Sequence, residues 1–254
     1  MRKVWTTFVL LLIAAVLVPA GPRAQWRTPW SYNNGADGPA HWGDLDPEYA
    51  ACNGKEQSPI DIRNAKKADL PLLRFVDKSG PLTIINNGYT ALRVNYSPGN
   101  GNFLIVGGHR YELTQFHFHH PSEEQIYGKP SDMVLHLMYK SSDGKVAGVA
   151  VLLKAGSAND VVQQLWEYMP KTADKEHLIP GVEVNPVGLL PHDTAYYTYM
   201  GSVTAPPCTE GVKWFVLKAQ MEVSPAQISK FAELYPHDVR PVQPLNGRVV
   251  EESQ

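Results

Sequence analysis

Short runs of apolar and polar residues, separated by turn residues, fill most of the chain. The runs Leu82 to Ile85, Ala91 to Tyr96, Phe103 to Val106, Val146 to Leu153 and Trp214 to Leu217 are rich in β-forming side chains. Between them stand Asn86-Asn87-Gly88, Ser97-Pro98-Gly99-Asn100-Gly101, Gly107-Gly108 and Ser142-Asp143-Gly144, which punctuate a mainly β chain. Two further runs assign faces. Side chains of a strand alternate between its two faces, so a strand over Gln115 to His119 puts Gln115, His117 and His119 on one face and Phe116 and Phe118 on the other. A strand over Val134 to Tyr139 groups Val134, His136 and Met138 in the same way. Helical signals are fewer. Asn159 to Tyr168 predicts one helix, stopped by Pro170, and Ser224-Pro225 predicts a cap and first helical position opening a helix through Leu234. The Pro-rich tail after Pro236 reads as extended. No internal repeat, low-complexity stretch or linker interrupts the pattern.

The first residues follow a different rule. Arg2 and Lys3 precede an apolar run from Phe8 to Val18, too short for a stable membrane span, and small residues allow cleavage after Ala20 or Ala24. Residues 1–24 therefore read as a secretory signal peptide, and 25–254 as a single domain with a large core. The alternative is a retained membrane anchor. A net charge of −2 and no basic run longer than Lys66-Lys67 point away from nucleic acid and from anionic membrane surfaces. Cys52 and Cys208 are the only cysteines. Two cysteines in an exported protein usually pair, and closing so long a loop stabilises by about 4–5 kcal/mol in the chain-entropy model. Two free buried thiols, or zinc ligation without a close spacing, are the alternatives.

Pairing the two histidine-bearing strands lets His117, His119 and His136 converge on one point. Three neutral imidazoles suit zinc with an open fourth position, whose bound water loses a proton near pH 7. Gln115, on the same strand face as His117, can hold that ring by its second nitrogen. A rival reading takes His117-x-His119-x-x-x-Glu123 as a cupin-type motif, with Glu123 a ligand and iron or manganese the metal, although Pro130 stands where that motif expects glycine.

Distant segments favour the first reading. Gly38-Pro39-Ala40-His41-Trp42-Gly43, Gln57-Ser58-Pro59-Ile60-Asp61-Ile62, Asn86-Asn87-Gly88, Gln115 to His119, Pro121-Ser122-Glu123, Leu135-His136-Leu137, Tyr197 to Glu210 and Arg240-Pro241-Val242-Gln243-Pro244-Leu245-Asn246 follow one another along nearly the whole mature chain. In content and order they resemble the α-class carbonic anhydrases, in particular the exported bacterial members. The resemblance implies a mainly β fold, a central twisted, mostly antiparallel sheet of about ten strands with peripheral helices. It also implies a Cys52–Cys208 disulfide, cis Ser58-Pro59 and Pro206-Pro207 bonds, and a periplasmic or secreted enzyme, with a homodimer common among such members. Zn2+ on His117, His119 and His136 would hydrate carbon dioxide reversibly to bicarbonate, open to sulfonamide and anion inhibitors.

In that scheme Thr204 is the gatekeeper, accepting from the metal-bound hydroxide and donating to Glu123, which is then no ligand. Val203, Ala205, Val212, Trp214, Met138 and Gly148 would line the substrate pocket. Four positions depart from the family pattern. Tyr89 stands where fast members have a proton-shuttle histidine, and a phenol with a pKa near 10 shuttles protons poorly at neutral pH. Val134 replaces a glutamate that in many members holds the third histidine. Ala205 replaces a threonine found in some members. Gly148 replaces a valine, which suggests a roomier pocket. A non-catalytic relative that keeps the fold for binding is the remaining alternative; intact ligands with Thr204 and Glu123 argue against it.

Overall fold

The computed structural model describes residues 29–254 except 87, 89–91 and 174. The expected signal peptide and Tyr89 therefore lie outside the described residues.

Nine strands of four or more residues carry the architecture. They are β1 (Gly80–Asn86), β2 (Leu92–Asn95), β3 (Phe103–Val106), β4 (His109–His119), β5 (Met133–Ser141), β6 (Val146–Ala155), β7 (His177–Val184), β8 (Tyr196–Ser202) and β9 (Glu210–Leu217). Together with short strands they form one 13-stranded sheet. Its continuous path holds ten strands, in the order β7-β1-β2-β4-β5-β6-β9-β8, then Glu251–Glu252 and Lys66–Lys67. Along that path only β6–β9 and the Lys66–Lys67 edge pair in parallel. The size and largely antiparallel character expected from the sequence are both present. A separate three-stranded sheet joins Asp61–Ile62, Gln125–Ile126 and Lys129–Pro130.

The alternating pattern decides what each face of the sheet meets. Phe116, Phe118, Leu135, Leu137, Val149 and Val151 are fully buried on one face. Two helices cover them: α1 (Asp160–Glu167) and α2 (Pro225–Ala232). The first is capped by the Asn159 side chain, and the second opens on a capping box between Ser224 and Gln227. Each such cap satisfies a backbone donor that the helix leaves unpaired, worth about 1 kcal/mol. Trp166 of α1 stacks on Phe231 of α2 at 5.4 Å and meets Phe118 edge-on at 5.0 Å, which locks the helices to β4. The opposite face carries a second apolar cluster, including Ile60, Val134, Met138, Val212 and Trp214. The histidines lie on that second face.

Sequence pattern missed some elements. Trp42–Leu45 forms a single helical turn and Pro47–Asn53 a 3-10 helix. β7 carries no clear strand signal because Pro180-Gly181 interrupts its apolar run, and its register against β1 shifts across that break. The tail after Pro236 carries no helix or strand until Glu251–Glu252 joins the sheet, and it is broken by a bend at Pro236–His237 and a turn at Asn246–Gly247 rather than extended throughout. Ser58-Pro59, His120-Pro121 and Pro206-Pro207 are cis.

Cys52 and Cys208 form the expected disulfide, closing a loop with a sequence separation of 156. Replacing both cysteines by serine should lower unfolding free energy by about 4–5 kcal/mol, as the chain-entropy model gives for so long a loop. Urea unfolding checks this; an unchanged midpoint would show that the buried hydrogen bonds around Cys52 and Cys208 hold the two segments without the covalent link.

Candidate metal centre

The three histidines meet because of strand register. β4 and β5 pair antiparallel with His117 opposite His136 and His119 opposite Val134. Residues directly opposite share a face, and residues two apart on one strand do too. The ring centroids lie 4.9 Å (117–119), 5.3 Å (117–136) and 5.1 Å (119–136) apart. The three ligand nitrogens lie within 4.8 Å of one another. Among the described residues this is the one such cluster of metal-ligating side chains, and Glu123 is not part of it.

Each ring is held by the nitrogen that faces away. His117 Nδ1 pairs with Gln115 Oε1 at 2.8 Å, the role expected of Gln115. His119 Nδ1 donates to the Asp238 carbonyl at 2.7 Å. His136 Nε2 meets both oxygens of Glu124, at 3.0 and 3.1 Å. The inward nitrogens of the two buried rings, His119 Nε2 and His136 Nδ1, have no hydrogen-bond partner. Buried polar nitrogens are rarely left unpaired without cause. Two of them, converging with a third ring that has its outer nitrogen anchored, fit a divalent metal that takes imidazole ligands.

Charged side chains surround this point. Glu123 Oε1 accepts from the Arg240 backbone N–H at 2.8 Å; Oε2 has no partner and lies 3.5 Å from His119 Nε2 and 3.8 Å from His136 Nδ1. Burial works against a charge on His119, yet Glu123 and Asp238 outweigh it and raise the ring from 6.5 to about 9. Burial first, and then the electrostatic influence of the neighbouring His119, His136 and Arg93 side chains, drives His117 well below its ordinary value. Burial raises the Asp238 carboxyl to about 6. Arg240 is buried and lowered to about 10, but its guanidinium donates to Gln57 Oε1, the Ser58 carbonyl and the Cys52 carbonyl at 2.7, 2.9 and 3.1 Å.

Sequence reasoning missed four residues here. Asp238 and Arg240 come from the far end of the chain, and only the matched Arg240-Pro241 segment hinted at them. Arg93 stands opposite His117 across the β2–β4 pair, which alternation alone could have shown once β2 was placed beside β4. Glu124 is the fourth, and it fills the place left open at Val134. The strand glutamate is absent, as read, but the third histidine is not left without a carboxylate: Glu124 supplies it from the preceding loop. Val134 packs instead into the apolar cluster.

Among the expected pocket residues, Met138, Val212 and Trp214 are buried in that cluster, with Val203 packed against it. The Trp214 ring lies 4.8 Å from the His136 ring and is fixed by its Nε1–H, which donates to the Ser202 carbonyl at 2.9 Å. Gly148 does not make the pocket roomier. It sits opposite Met138 on one side and Trp214 on the other, and a Cβ there would lie 2.7 Å from two Trp214 ring carbons. The indole fills the space that a side chain would take. Thr204 is buried in the bend after β8, followed by half-buried Ala205. No hydrogen bond joins the Thr204 hydroxyl to Glu123, whose Oε2 is unpaired and whose Oε1 is taken by Arg240.

A large mixed sheet with three clamped imidazoles on one face defines a metalloenzyme of the carbonic anhydrase type. The family model for eukaryotic-type carbonic anhydrases matches residues 37–254. A carbonic anhydrase of Nostoc sp. is 41% identical over 230 residues, 88% of this chain and 86% of that protein. One from Klebsiella pneumoniae is 42% identical over 234 residues, 91% and 94% of the two chains. The alpha-carbonic anhydrase of Thermovibrio ammonificans, solved with the inhibitor sulfanilamide, matches with a TM-score of 0.83 at 39% identity, covering 89% of this chain and 99% of that one. The chain belongs to the eukaryotic-type, or alpha, carbonic anhydrase family of zinc-dependent enzymes. The cupin alternative, with Glu123 a ligand to iron or manganese, falls with that assignment.

Two outcomes follow from this geometry. Below about pH 9 a metal must displace the proton that His119 carries, whereas His117 is already neutral. Apparent zinc affinity should therefore climb with pH through the neutral range and level off above about pH 9. Chelator-competition titrations at several pH values measure it, and a flat profile would contradict the charge arrangement. Gly148→Val should cost about 1–3 kcal/mol by overpacking against Trp214. Thermal or urea unfolding tests it; no loss would mean that the indole moves freely.

Proposed function

We propose that this chain is an exported enzyme that hydrates carbon dioxide with zinc held by His117, His119 and His136. The observation that carries the reading is the pair of unpaired buried nitrogens, His119 Nε2 and His136 Nδ1, facing one point beside His117. With zinc held by these three imidazoles, the centre would supply a bound water whose pKa falls to about 7, and so a nucleophile at neutral pH.

The chain's own residues shape what that centre accepts. Glu123 is locked through Oε1 to Arg240, which keeps Oε2 available as an acceptor for the Thr204 hydroxyl. A Thr204 oxygen that has donated its proton can only accept. It then favours a ligand that brings a proton and turns away one that cannot. Carbon dioxide is apolar, and the cluster of Met138, Val212 and Trp214 with Val203 packed against it, in which the indole lies 4.8 Å from the His136 ring, would offer it an apolar wall without competing hydrogen bonds. Ala205 adds no polar group to that wall. Sulfanilamide inhibits the Thermovibrio relative, and sulfonamides and small anions are the inhibitor classes expected here.

Proton release is the weak step of the proposal's enzyme. By the family resemblance Tyr89 stands where fast members carry a shuttle histidine, and a phenol does not exchange protons readily near neutral pH. Turnover should be limited by proton transfer and rise with added imidazole. Stopped-flow hydration of carbon dioxide by the zinc-loaded protein tests both parts. Rapid hydration that increases with imidazole, and that becomes buffer-independent in Tyr89→His, is the expected result. Rapid hydration indifferent to imidazole would refute the shuttle argument. Bound zinc without hydration would refute the enzyme assignment for this chain and favour a binding protein on the same fold.

A further inference from the structure

His136 differs from its two partners. His117 and His119 are held by Nδ1 and present Nε2, whereas His136 is held by Nε2 and presents Nδ1. An imidazole offers either nitrogen, and the choice is set by what grips the other. For His136 that grip is Glu124 alone, with both carboxylate oxygens on Nε2 and both side chains fully buried. Its own strand offers no substitute: Val134 and Met138, two residues to either side on the same face, belong to the apolar cluster.

The loop that delivers Glu124 is pinned on both sides. The Ser122 hydroxyl donates to the Glu124 carbonyl at 2.7 Å and accepts from the Ser131 N–H at 2.8 Å. One residue further on, Gln125–Ile126 pairs with Asp61–Ile62. Two consecutive residues thus address opposite edges of one ring. Glu124 holds Nε2, and Glu123 stands 3.8 Å from Nδ1.

We propose that Glu124 is a positioning residue: it fixes the tautomer and orientation of His136, and so commits the Nδ1 lone pair to the metal. An ionised carboxylate makes this a charge-assisted bond and strengthens the ring as a donor to the metal. The role that the sequence could not find at Val134 is filled from a different element of the fold. The inference rests on the zinc reading above.

The test compares the parent with Glu124→Gln and Glu124→Ala, using zinc itself as the probe. Zinc affinity is measured by chelator competition, metal-free stability by thermal unfolding, and the pH midpoint of carbon dioxide hydration by stopped flow. Loss of the outer carboxylate should weaken zinc by about 10- to 100-fold in the alanine variant, with a smaller loss in the glutamine variant, which keeps an acceptor. The glutamine variant should also show a lower pH midpoint, because a less electron-rich ring leaves the metal more acidic. Its metal-free stability should match the parent. Glutamine and parent alike in zinc affinity and pH midpoint would overturn the proposal, whether or not the alanine variant folds, and leave Glu124 as packing only. A parent that binds no zinc would instead overturn the functional reading on which this one stands.

Discussion

Pairing register between two strands is the constraint on which the site depends. His117 and His136 stand opposite each other across β4 and β5. A slip of one residue would turn His136 to the face that meets Trp166 and Phe231, and bring Leu135 or Leu137 to the metal side. The register is fixed by the same alternation that builds the core. Phe116, Phe118, Leu135 and Leu137 are buried against the helices, and each of them vetoes the slip. Burial of a large apolar side chain is worth about 1.5–3 kcal/mol, so several acting together leave no competing register. The metal centre is thus specified by residues that never touch it.

Register brings the rings together, but a second system aims them. Arg240 ties the Cys52 and Ser58 carbonyls and Gln57 to the segment that holds Glu123, and Gln57 in turn donates to the Cys208 carbonyl and to Glu210. A buried charge is costly unless it is fully hydrogen-bonded, and breaking such a set by removing one member costs about 3–5 kcal/mol. The disulfide sits in the middle of this set. Covalent and polar constraints therefore converge on one corner of the molecule, the corner from which Glu123 and Asp238 reach the histidines.

Much of this was legible in the sequence, for definite reasons. Alternation put His117 and His119 on one face of their strand and His136 with Val134 and Met138 on one face of theirs, so that pairing the two strands could bring all three together. Asn159 and Ser224-Pro225 marked both helix starts, because caps are local chemistry. What escaped had no local signal. Nothing near Glu124 says that its carboxylate will lie under His136, since the contact spans two elements joined only by the fold. Gly148 was misjudged for a related reason. A glycine read along one strand looks like empty space, whereas its cross-strand neighbour Trp214 fills that space. The Asp238 carbonyl that holds His119 is main chain, and main-chain acceptors carry no sequence signature.

That carbonyl also dates the site within the life of the molecule. All three histidines are already in the chain once its first 136 residues are made, yet the group that aims His119 is added 102 residues after His136. Until the segment carrying it is in place, His119 lacks the acceptor that fixes its ring. The centre is finished only when the C-terminal segment folds back across the second face, so metal capture with full fidelity belongs to the completed chain.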